Sequence, residues 1–79
     1  MRLDKYLKVS RIIKRRTVAN EACDAGRVEV NGKVARASYD VKVGDVIKVS
    51  LGSNEREYEV LEVLEHALKE DALKMYKAL

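Results

Sequence analysis

GRVEVNGKVA, residues 26–35, is where the chain changes its period. Val28 and Val30 alternate with Arg27 and Glu29, and Val34 resumes the apolar positions beyond Asn31-Gly32. Asn-Gly is the preferred pair for a type I′ turn, whose twist matches that of the strands it joins, so residues 27–36 are predicted to form a β-hairpin. Upstream of Gly26 the apolar spacing is helical; downstream it alternates until the last fourteen residues.

Working back from Gly26, Val18, Ala22 and Ala25 fall on one side of a helix predicted over Val18–Ala25, with Cys23 beside them. Thr17 is placed to cap its start, and Gly26 supplies the left-handed residue that closes it. Residues 2–9, RLDKYLKV, bring Leu3, Tyr6 or Leu7, and Val9 to near-helical spacing, which predicts a short amphipathic helix ended by Ser10. Tyr6 at this spacing is either a core residue or a stacking surface. Working forward, Gly44-Asp45 opens a strand over Val46–Leu51, and Gly52-Ser53-Asn54 is a loop. The next strand, Glu55–Leu64, alternates cleanly until the neighbouring pair Val60-Leu61 breaks the period, which predicts a bulge or a change of exposed face. Leu68, Ala72, Met75, Tyr76 and Leu79 then fall at steps of three or four and predict a C-terminal helix over about residues 66–79, packed on the sheet. The expected architecture is α+β: two N-terminal helices on a small, mostly antiparallel sheet of four strands, followed by a helix. With no Pro, no linker-like tract and no repeat, residues 1–79 are expected to form one domain.

A domain of 79 residues has little stability to spare, and one cysteine with one histidine offers neither an internal disulfide nor a metal site. No cofactor or metal is expected. The charged N-terminus has no apolar run of signal or membrane-spanning length, so a soluble, cytoplasmic protein with no membrane partner is expected. Catalysis is disfavoured. His66, at the predicted strand-to-helix junction, reads as an exposed or capping residue, Cys23 as a small buried thiol with no nearby base, and Glu55, Glu57, Glu59 and Glu62 as the solvated face of a strand. Phosphate-cradling Gly-rich loops are absent.

Charge is distributed unevenly. Residues 1–16 carry Arg2, Lys5, Lys8, Arg11, Lys14, Arg15 and Arg16 against the single acid Asp4, a balance of +6; residues 17–54 balance to zero; residues 55–79 balance to −3, giving the total of +3. A face stabilised by exposed salt bridges would alternate signs, whereas seven like charges require counter-charge from outside. Such a segment is the footprint of a polyanion binder, and its mixture of Arg and Lys suits contacts to phosphates. RNA is favoured over DNA, because no helix long enough to run through a major groove carries the bases together with base-reading Asn or Gln.

The succession RLDKYL, then Ser10-Arg11, then the helix ending at Gly26, then GRVEVNGKVA and SYDVKVGDVIKV, resembles the S4-type RNA-binding domain over residues 2 to about 50. The resemblance implies the S4-type (αL) fold and binding of structured RNA by the two-helix edge. Val43 departs from the pattern, standing where many members have Pro before Gly-Asp. Within the family, the continuous run KVSRIIKRRT (residues 8–17) is similar to that of the small bacterial ribosome-quality-control factors. That similarity implies binding to rRNA and tRNA on a large ribosomal subunit obstructed by peptidyl-tRNA; the chain itself is expected to be a monomer. There the factor supports the partner RqcH in adding alanine tails, without itself catalysing a bond. The same similarity makes Arg2 and Arg16 the first RNA contacts, then Arg11, Lys14 and Arg15, with Lys5 and Lys8 in support. The rival readings are a heat-shock-type S4 protein that recycles stalled subunits without tailing, an accessory subunit of an RNA-modifying enzyme, and a non-specific nucleic-acid binder. The heat-shock branch carries a basic C-terminal extension, and residues 55–79 here are net acidic.

Overall fold

In the computed structural model of the chain, which describes residues 1–79, Asn31 and Gly32 have φ values of 53° and 83°, the two left-handed positions of a type I′ turn. They join β1 (Val28–Val30) to β2 (Lys33–Val34) in the expected register, Val30 opposite Lys33. β3 (Val46–Leu51) pairs with the other side of β1, β4 (Asn54–Val60) with β3, and β5 (Tyr76–Ala78) with β4, giving a five-stranded antiparallel sheet in the order β2-β1-β3-β4-β5. Helices α1 (Leu3–Val9) and α2 (Arg16–Asp24) precede it, and a one-turn helix, α3 (Lys69–Ala72), lies between β4 and β5.

The alternation read from the sequence decides which face is covered. Val28, Val30, Ile47, Val49 and Val60 are buried in one cluster with Leu3, Tyr6 and Leu7 of α1 and Ala19, Ala22 and Cys23 of α2. On the opposite face Lys48 lies between Glu29 and Glu57 across the strands, with its Nζ 2.9 Å from Glu55. Two turn signals that look independent in the sequence are tied together. Asn31 donates its Nδ2 to Asp45 Oδ1 and accepts the Val46 N–H on Oδ1, both at 3.0 Å, so the hairpin tip is fastened to the Gly44-Asp45 turn. Tyr39 Oη and the Lys42 N–H complete the shell of Asp45. Burial alone would raise the Asp45 pKa, but these donors outweigh it and hold it below the ordinary aspartate value.

Four expectations are corrected. α2 begins at Arg16, with Arg15 as its N-cap and no capping side chain, so Thr17 is inside the helix and caps nothing. With that start the inward positions are Ala19, Ala22 and Cys23, and Val18 is 43% exposed. β4 stops at Val60, four residues short of the expected Leu64, and beyond it the backbone N–H groups of Leu61 and Glu62 both donate to the Met75 carbonyl. The C-terminal helix over 66–79 shrinks to the single turn of α3, and Tyr76–Ala78 forms a fifth strand. Without β5 the edge of β4 would present unpaired backbone groups, and pairing satisfies them while setting Tyr76 against Tyr58 edge to face, ring centroids 5.2 Å apart. Of the proposed stripe, Ala72 and Met75 are buried and Leu68 and Leu79 are exposed.

Tyr6 is a core residue. Its ring is fully buried and its hydroxyl donates to the Met75 carbonyl at 2.7 Å, linking α1 to the segment that leads into β5. A Tyr6→Phe variant is expected to lose about 1 kcal/mol in urea denaturation, since Leu61 and Glu62 keep the carbonyl satisfied.

Candidate nucleic-acid interface

α1 has no side-chain N-cap; the Leu3 and Asp4 N–H groups donate instead to the carbonyls of Tyr39 and Ala37. This leaves the Asp4 carboxylate free to organise its surroundings. Its side chain is only 3% exposed, yet it accepts from Arg2 Nε at 3.2 Å and Arg2 Nη2 at 3.4 Å, from the Lys5 N–H at 2.8 Å and from Asn20 Nδ2 of α2 at 3.1 Å. Arg16 Nε forms an ion pair with Oδ2, the oxygen that Asn20 and Arg2 Nη2 also reach, at 3.5 Å. Burial pushes the Asp4 pKa up, but the donors from Asn20, Arg2 and Lys5 and the Arg16 charge prevail, so it lies below the ordinary value of 3.8. One buried anion therefore holds two guanidinium groups, Arg2 before α1 and Arg16 at the start of α2, each still about half exposed. Both are oriented by the one carboxylate while their outer halves remain open to solvent.

The segment joining the helices is pinned from beneath. Ser10 is buried and donates its hydroxyl to the Leu7 carbonyl, and Ile13 is buried with its N–H on the same carbonyl. Between these anchors Arg11 takes a φ of 64°, the left-handed position after a helix where Gly is the ordinary residue. The exposed side chains that remain are Arg11, Lys14 and Arg15, with Lys8 on the preceding turn. The molecule's five ion pairs involve Met1, Arg2, Lys5, Arg16 and Lys48, so none of these four cations has a carboxylate partner. Lys5 differs: its Nζ pairs with Glu65.

The structure thus gathers the seven predicted basic residues into three settings: Arg2 and Arg16 fixed on Asp4, Lys5 paired with Glu65, and Lys8, Arg11, Lys14 and Arg15 free. Sequence reasoning missed Asp4 and Asn20. Asp4 looks like a stray negative charge, although its being the sole acid among seven bases is the signal that could have marked it. Cys23 is buried, which raises its thiol pKa to about 11 and fits the inert reading. No group of His, Cys, Asp and Glu is arranged to hold a metal, and no helix is long and apolar enough to cross a membrane.

Because Asp4 has a depressed pKa in the folded chain, its contribution is present above the unfolded value near 3.8 and is lost as pH falls through the folded one. Asp4→Asn is expected to cost about 1–3 kcal/mol at pH 7 and to make the loss of stability between pH 5 and 2 less steep, as read by thermal melts across that range. Arg11→Gly is expected to change stability by less than about 1 kcal/mol, since relief of the left-handed strain offsets the added freedom of the unfolded chain. The same variant is expected to weaken binding to RNA in a filter assay, which would separate the charge from the turn.

Comparison with known proteins agrees with this geometry. The S4 domain family model matches residues 1–47. An RQC P-site tRNA stabilizing factor of Streptococcus pneumoniae is 54% identical over 77 residues, covering 98% of this chain and 88% of its own. The Bacillus subtilis protein of the same name is 51% identical over 79 residues, covering 100% of this chain and 92% of its own. Among solved structures, heat shock protein 15 of Vibrio cholerae superposes with a TM-score of 0.91 at 28% identity, covering 100% of this chain and 81% of that one. With a basic two-helix edge over an antiparallel sheet and relatives this similar along nearly their whole length, the chain belongs to the S4 domain family, in the branch of the RQC P-site tRNA stabilizing factors.

Proposed function

We propose that this protein binds rRNA and tRNA together on large ribosomal subunits obstructed by peptidyl-tRNA, and that it stabilises the placement of the tRNA while RqcH adds alanine tails to the stalled chain. It acts in the cytoplasm, as a monomer and by binding, not by catalysis. The observation that carries the reading is the state of the basic segment: four cations without carboxylate partners beside two arginines paired with one buried carboxylate. Unpaired like charges supply attraction to phosphate, and the pair oriented on Asp4 supplies geometry, because guanidinium groups aimed from a common anchor can grip phosphates bidentately. Contacts made in one tRNA position and not in others raise the occupancy of that position. The names of the relatives fit this role.

With about six phosphates engaged, the logarithm of affinity is expected to fall with the logarithm of salt at a slope of roughly −4 to −5. Arg2→Ala and Arg16→Ala are expected to abolish co-sedimentation with large subunits while leaving circular dichroism unchanged. Normal co-sedimentation of a folded Arg16→Ala variant would overturn the reading. The heat-shock-like alternative, favoured by the close superposition on heat shock protein 15, is separated by deletion: loss of alanine tails supports tailing, and unchanged tails support recycling.

A further inference from the structure

A groove of about 670 Å³ runs between the C-terminal end of α1 and the segment that links β4 to α3. Lys8, Arg11 and Lys14 line one wall; Glu65, His66 and Lys69 line the other. Val9 and Ala67, both partly buried against the core, complete its lining. Of the four cations on these walls, none has a carboxylate partner. The one anion in the groove, Glu65, is held by Lys5, and that hydrogen bond and charge keep its pKa below the ordinary glutamate value. The Lys5–Glu65 pair also ties the 65–69 segment to α1, so both walls are anchored to the same helix.

We infer that this groove is a second phosphate-binding subsite, distinct from the Arg2/Arg16 edge, that takes a stretch of RNA sugar-phosphate backbone, and that His66 and Lys69 belong to it. The inference rests on the RNA-binding function proposed above. A concavity whose charged lining is four cations against one paired carboxylate concentrates a polyanion, and His66 adds a ring N–H donor in either protonation state. Position makes the two subsites separate. Arg2 precedes the first turn of α1 and Lys8 lies in its last, and at 1.5 Å per residue the helix sets them roughly 10 Å apart. A seven-residue helix with an arginine pair at one end and a cationic groove at the other is suited to spanning two backbone segments at once. The 65–69 stretch carries this role although residues 55–79 are acidic in balance, because of those acids Glu65 alone lines the groove, together with His66 and Lys69.

His66 and Lys69 are both exposed, so a His66→Ala/Lys69→Ala variant is expected to keep the wild-type melting temperature. Binding of the full chain to purified tRNA and to large ribosomal subunits, followed across salt concentrations, is expected to weaken in at least one of the two by roughly 3- to 10-fold, with the salt slope reduced by about 1. The arm that responds identifies which RNA occupies the groove. Wild-type affinity and slope for both probes in the His66/Lys69 variant, alongside a weakened Arg16→Ala, would overturn the second subsite and leave the RNA-binding reading standing. Wild-type chain that binds neither probe would overturn both.

Discussion

Asp4 is the constraint on which the candidate interface depends. A carboxylate removed from water must be compensated, and here the compensation comes from Arg2, Asn20, Arg16 and the Lys5 N–H, which belong to three different parts of the N-terminal region. Satisfying one buried charge therefore fixes the approach of α2 to α1 and aims two guanidinium groups outward. The same anion slightly relieves the repulsion that seven basic residues would otherwise exert on a small fold, while leaving both arginines half exposed for an external phosphate.

Around this anchor the molecule divides its surface by charge. The loop between the helices is pinned by Ser10 and Ile13 and displays Arg11 in a backbone conformation that a glycine would adopt with less strain. An ordinary helix terminus optimised for stability would carry glycine there, so the arginine is a departure from local preference at a place where its charge has no internal use. The far face of the sheet is the counterpart: Glu29, Glu55 and Glu57 surround Lys48 and leave that side net negative. A polyanion approaching the domain meets attraction on the helix edge and repulsion on the sheet face, which orients it before any contact forms.

Much of this could be read without coordinates. Asn31-Gly32, Gly26 and the alternation of Val28, Val30, Ile47 and Val49 report local rules, a turn type, a helix terminus and a half-buried strand, and the structure has all three. The break in period at Val60-Leu61 marks the place where β4 ends. The errors share a cause. Thr17 and Val18 depart from the local reading because α2 starts two residues earlier, at Arg16, whose side chain pairs with Asp4 twelve positions away. Residues 66–79 have apolar residues at helical spacing, but the open edge of β4 and the Tyr6 hydroxyl compete for that segment and take it as strand and turn.

What the sequence determined by itself was the class of the molecule: two helices, then an antiparallel sheet, with a block of positive charge near one end of the chain whose sign and density are those of a polyanion binder. Only the tertiary structure decided how that block is divided. Pairing between charges depends on distance and burial, not on order along the chain. So it took the fold to show that Asp4 serves Arg2 and Arg16, that Lys5 is engaged by Glu65 sixty positions away, and that Lys8, Arg11 and Lys14 face Lys69 across an open groove.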